Sequence, residues 1–364
     1  QAFSLRIWDV SVPKVLGIGY FSLQLTSYLV DVRRGKQEPE SQYARLLCFA
    51  SFFLSITQGP FNRYNTLMPQ LEAAPKTFET QRLVSGLQRS AWGYFKKFAI
   101  ADRAAIVVSA AFADPASFDR SQLIFATVMY SFQLYADFSG YTDIVLGMGE
   151  ILGLHLPENF RQPFFSASVK ELWARWHISL SQWFRDYVYI PLGGNRVKSR
   201  KHVRNILVVW MLTGIWHGAS WNFVFWGLYY GMFIFFEMLI GKKRMKKMPV
   251  PLAHIYTKLV IFIGFGIFYF ENLGSLGTFF KALVGANGNK LTDTVTQHLF
   301  MNNIWLFAVA VLFTMPVIPK IKEKALSAKG TAYFMQSAGI LCNAAILVLS
   351  SVLLVNTTNN PFLY

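Results

Sequence analysis

Between Arg204 and Glu237 lie thirty-two consecutive residues, 205–236, without a single Lys, Arg, Asp or Glu. A helix on the surface of a soluble domain keeps a polar face, and a run this long leaves none. It is long enough to cross the ~30 Å hydrocarbon core of a bilayer. Other apolar runs fall at 12–30, 121–154, 255–270, 303–316 and 333–355. Only 15% of the chain is charged, against ~25% in an ordinary soluble domain. Lipid offers no partner to an open backbone, so spanning segments must be helices or a closed barrel. The alternating ~10-residue segments of a barrel are absent. The fold class expected is therefore an all-α polytopic membrane protein.

The chain carries 35 Lys+Arg against 19 Asp+Glu, a net charge of +16. The excess sits in short runs beside apolar segments: 31–36, 198–204, 241–247 and 319–329. That is the pattern of a membrane face turned to the cytoplasm, with lipids as partners, and not of a nucleic-acid binder. The stretch 273–302 is weakly charged and is expected as a loop on the other side. Cys48 and Cys342 stand far apart, and neither a metal spacing nor a disulfide framework follows. No bound metal or cofactor is expected. The opening residues QAFSLRIWDV lack a signal-peptide pattern.

About eight spanning or half-spanning helices are expected. Residues 44–57 are too short to cross and read as re-entrant. Residues 62–100 mix cations and aromatics and read as amphipathic helices at the interface. Residues 121–154 are long enough for two spans, broken at ADFSGYTD. Residues 169–189 read as one interfacial helix, capped by Ser168 and stopped by Pro191 and the pair Gly193 and Gly194.

Of the six histidines, His217 stands out. It sits in TGIWHGASWNF, inside the uncharged run, flanked by Gly214 and Gly218. An ionisable group at membrane depth is costly and marks function by default. Removal from water favours the neutral imidazole, which can take up a proton. A purely structural imidazole would instead bond a neighbouring backbone carbonyl to help helices pack. His177, in ARWHISLSQWFRD, shares a helix face with Trp173 and Leu180 and reads by itself as an interfacial anchor. Asp137 and Asp143 mark either a proton or cation path or hydrogen-bonded packing.

The segments YFKKFAIADR, QLYADFSGYTDIVLGMGEILGLHLPENFRQPFFSASVKELWARWHISLSQWFRDYVYIPLGGNR and GIWHGASWNFVFWG closely resemble the membrane-bound O-acyltransferase family. The likeness runs over nearly the whole chain, so 1–364 is expected to form one such domain, without the family's first helices and extreme C-terminus. YIPLGGNR favours a bacterial branch that O-acetylates exported polysaccharide. The resemblance implies a helical bundle around a transmembrane tunnel, with interfacial and re-entrant helices. It places the family's invariant histidine at His217 and its second site position at His177.

The implied reaction moves an acetyl group from a cytoplasmic thioester, acetyl-CoA or an acyl carrier, across a bacterial inner membrane. The acceptor is a cell-surface polysaccharide or an extracytoplasmic partner acetyltransferase. Arg175, Arg185 and Arg196 could hold the donor's phosphates. The alternatives are a D-alanyl transferase of the same family, acting on teichoic acid, and a transporter without chemistry.

Overall fold

The computed structural model describes residues 16–73, 79–315 and 332–355. Among them helices are the only extended elements; the one bridge of strand type pairs Phe160 with Trp176. In order these are α1 (Ile18–Arg33), α2 (Tyr43–Ala50), α3 (Tyr64–Glu72), α4 (Thr80–Phe95), α5 (Asp102–Ala113), α6 (Arg120–Ile151), α7 (Val169–Arg175) and α8 (Ile178–Phe184). There follow α9 (Ser199–His217), α10 (Trp221–Ile240), α11 (Lys242–Met245), α12 (Val250–Tyr269), α13 (Leu273–Val284), α14 (Thr294–Thr314) and α15 (Ala332–Val355). The short α2, followed by turns, suits the re-entrant reading of 44–57.

The spine is α6, a single helix of 32 residues. It starts from a capping box: Gln122 N–H donates to Asp119 at 2.8 Å, and Asp119 N–H donates to Gln122 Oε1 at 3.2 Å. The two spans expected over 121–154 are one helix, and ADFSGYTD does not break it. Asp137 needs no water, because Lys97 Nζ lies 2.7 Å away in the buried interior. Gly140 is a contact, since a Cβ on the facing Gly93 would fall 2.5 Å from the Gly140 carbonyl oxygen. Gly86 and Gly147 repeat the arrangement one heptad away. Small residues thus let the α4 and α6 backbones close on each other. The α4 helix joins the bundle lengthwise rather than lying by itself at the interface.

The uncharged run folds into a hairpin, α9 and α10, turned at Gly218. A Cβ on Gly214 would lie 2.2 Å from the Phe223 carbonyl oxygen, and one on Gly227 2.2 Å from that of Trp210. The basic runs 198–204 and 241–247 therefore sit together at the hairpin's open end. The run 31–36 joins them: Tyr187 O–H donates to Asp31 at 2.5 Å, and Arg34 Nη1 to the Asp186 carbonyl at 3.3 Å. The fourth run, 319–329, lies outside the described residues.

Among the described residues, four segments are long and apolar enough to cross a bilayer: Trp221–Ile240, Val250–Tyr269, Thr294–Thr314 and Ala338–Val355. This is a membrane protein. Within the expected loop at 273–302, Leu273–Val284 is α13, capped by Asn272, and only 285–293 is a loop before the first turns of α14.

Candidate active site

His217 is the last residue of α9. Its Nδ1–H donates to the Thr213 carbonyl at 2.7 Å. A carbonyl only accepts, so the proton is on Nδ1 and the lone pair on Nε2. The structural reading and the catalytic one thus meet in one side chain: the packing bond is what leaves Nε2 a base. The ring is half-buried among Trp216, Trp226 and Phe268, with centroids at 4.9, 4.8 and 5.6 Å.

His177 departs from expectation. The predicted single helix over 169–189 is two helices, and His177 is the break, with φ 44° and ψ 55°. A left-handed conformation is uncommon for a non-glycine residue. It persists because 159–161 is laid across the break. Ile178 N–H donates to the Asn159 carbonyl at 3.0 Å, and Arg161 N–H to the Arg175 carbonyl at 3.0 Å. The Ser179 backbone N–H and hydroxyl both donate to Asn159 Oδ1, at 3.1 and 2.7 Å. Ser168 caps α7 as expected, and Glu237, the acid that ends the uncharged run, takes the N–H groups of Val169 and Lys170 at 2.6 and 3.0 Å.

The break turns His177 inward. It is 3% exposed, between the Phe61 ring at 5.8 Å and the Phe138 ring at 4.8 Å. Neither ring nitrogen has a partner among the described residues. His177, expected as an anchor at the interface, is instead the more enclosed of the two imidazoles. The cause is the backbone break, which no helical periodicity contains.

Two cavities share Trp176, His177, His217 and Trp226 in their walls. One, of about 380 Å³, runs past Gln182, Arg185 and Tyr189 toward the basic end. The other, of about 510 Å³, runs past Tyr20, Gln133, Tyr269 and Glu271, at the far ends of α1 and α12. Gln133 Oε1 is buried without a partner among the described residues, and its residue lines this second cavity. Its sequence mark was faint: one amide inside an apolar stretch of α6.

Of the three arginines, only Arg185 lines the basic-side cavity. Arg175 is outside its walls and pairs with Glu171 at 2.7 Å. Arg196 is exposed in the turn after Gly193 and Gly194, which both have positive φ. Asp137 is paired with Lys97, and Asp143 with Arg89 at 3.1 Å and Lys96 at 2.6 Å. No cluster of three or more metal-ligating side chains occurs among the described residues.

The family model of the membrane-bound O-acyltransferases matches residues 10–276. The chain belongs to this family. It is 35% identical over 280 residues to the "Probable alginate O-acetylase AlgI" of Azotobacter vinelandii, covering 76% of this chain and 55% of that protein. It is 32% identical over 339 residues to the "Peptidoglycan O-acetyltransferase" of Helicobacter pylori, covering 82% and 64%. It is 32% identical over 273 residues to the "Teichoic acid D-alanyltransferase" of Bacillus subtilis, covering 70% and 68%. The chain spans little more than half the length of the alginate relatives it matches.

Proposed function

We propose that this chain is the catalytic core of a bacterial inner-membrane O-acetyltransferase serving an exported polysaccharide. The observation that carries the proposal is the pair of imidazoles in the shared wall of two cavities directed toward opposite ends of the bundle. The basic end is the cytoplasmic one by the positive-inside rule. A thioester donor, acetyl-CoA or an acyl carrier, reaches the pair from that side past Arg185. Arg175 and Arg196 are outside the cavity wall and at most steer an anionic donor. An acceptor hydroxyl arrives from the other side, on the polysaccharide or on an extracytoplasmic partner enzyme.

In the transfer, His217 Nε2 removes the acceptor's hydroxyl proton as its oxygen attacks the thioester carbonyl. A protonated nitrogen of His177, with no protein partner to satisfy, donates to the carbonyl oxygen as charge develops there. The C–S bond breaks, the ester C–O bond remains, and the proton on His217 passes to the departing sulfur. The tryptophans and phenylalanines around both rings keep water from hydrolysing the thioester.

A transporter without chemistry is less well supported, because Asp137 and Asp143 are both held by cations. A D-alanyl donor on a carrier protein would use the same geometry. The deciding experiment supplies labelled acetyl-CoA to membranes containing this chain and follows the label. Label reaching an extracytoplasmic hydroxyl supports the proposal; label that stays on the donor, with D-alanyl carrier consumed instead, overturns the acetyl assignment.

A further inference from the structure

A cavity of about 700 Å³ unrelated to the histidine pair lies between α6, α12 and α14. Its walls are apolar, with Phe125, Phe132, Phe262 and Phe307 among them. Ile124 and Phe300 on its rim are exposed, so it is a groove on the outer face of the bundle. At one end stand two nitrogen-bearing side chains, His254 and Lys258, one turn apart on α12.

Lys258 is the unusual member. No carboxylate lies within ion-pair distance of it among the described residues. Its nearest polar contact is His254 Nδ1 at 3.3 Å. That nitrogen cannot accept a proton from the ammonium, because it also lies 3.1 Å from the Ser166 carbonyl and must donate there. Among the described residues a half-buried ammonium in an apolar helix is thus left without an acceptor, a costly arrangement in lipid.

Its depth is informative. From Val250 to Lys258 is eight residues, ~12 Å along a helix. The contact with His254 shows the side chain bent back toward the helix start, as a lysine does to reach the headgroup layer. From Thr314, at the end of α14 nearer the basic side, back to Phe300 the groove wall runs ~21 Å, more than the ~15 Å of one leaflet.

We propose that this groove holds one anionic phospholipid of the leaflet on the basic side. Its phosphate takes hydrogen bonds from Lys258, and one acyl chain lies along the phenylalanines. Charge complementarity selects the occupant: a neutral chain would leave the ammonium unpaired, and a protein helix would need an acid at membrane depth.

The test uses the full chain in neutral detergent, titrated with phosphatidylglycerol or phosphatidylcholine. Bound lipid is counted by native mass spectrometry and thermal stability is read alongside. Wild type and Lys258→Arg should retain one phosphatidylglycerol and melt higher with it. Lys258→Gln should bind it about fivefold more weakly, with little change toward phosphatidylcholine. If Lys258→Gln fails to fold, Val128→Phe, which fills the groove and keeps the charge, must lose the same bound lipid. Equal response to both lipids in wild type, or an unchanged phosphatidylglycerol response in Lys258→Gln, would overturn the proposal.

Discussion

Asn159 and Ser179 are joined by two hydrogen bonds into one amide oxygen, and the joint lies immediately behind His177. Ser179 Oγ in turn accepts from the Phe61 N–H at 2.9 Å, and the Phe61 ring stacks on the imidazole. Three stretches of sequence that share no helix are thereby locked around one left-handed residue. Strain of this kind costs of order 1–3 kcal/mol and survives only where its surroundings impose it.

Asn159→Ala should release that lock. Two buried donors lose their acceptor, at a cost of ~1–3 kcal/mol. Acyl transfer should fall with it, because His177 is no longer held inward. Ser179→Ala keeps the backbone bond to Asn159 and leaves one donor, the Phe61 N–H, without its acceptor instead of two, so it should be milder. A thermal shift together with donor titration checks this; equal activity in Asn159→Ala and wild type would remove the lock from the mechanism.

His217→Ala should lower acyl transfer by ~10²–10⁴-fold, the usual cost of a lost general base. Thermal stability should change little, since the ring's one hydrogen bond runs to a carbonyl within its own helix. Polymer acetylation and melting are measured on the same preparation. Near-wild-type acetylation would end the assignment of Nε2 as base.

His177→Ala should act on the chemical step more than on donor binding, since the ring is enclosed and both its nitrogens are free for the reacting carbonyl. Saturating acetyl-CoA should therefore not restore the rate. A variant rescued by excess donor would return His177 to a donor-binding role.

Gly93→Ala should destabilise the bundle by ~1–3 kcal/mol, the range for overpacking, because the new Cβ meets the Gly140 carbonyl at 2.5 Å. Gly277→Ala, with nothing near its Cβ, is the control and should be neutral or stabilising. Similar melting temperatures for the two would refute the close α4–α6 approach.

Sidedness is open to cysteine labelling on intact cells with an impermeant reagent, in a background with the exposed Cys48 and Cys342 replaced. Ser199→Cys and Lys243→Cys should stay unlabelled. Asn287→Cys should react; it is preferable to Asn289, whose side chain holds the Ala116 and Phe118 carbonyls. Labelling at Ser199 would invert the bundle and move the donor to the other side.

The sequence by itself determined that the chain is helical and membrane-borne, because an uncharged run of that length has no other stable fold in lipid. It also singled out His217, since the cost of an imidazole there is local and can be read from its neighbours. The Ser168 cap and the turn at Gly193 and Gly194 were legible for the same reason: each depends on adjacent residues. What only the tertiary structure decided depends on partners distant in the chain. Asp137 does not break α6 because Lys97 pairs with it, and Gly140 does not because Gly93 closes on it. His177 leaves its helix because Asn159 occupies the break, and this, not exposure at an interface, makes it the more enclosed of the two imidazoles. Helical periodicity records which face a residue takes while the helix lasts; where another segment replaces the helix's own hydrogen bonds, the face is set by that segment.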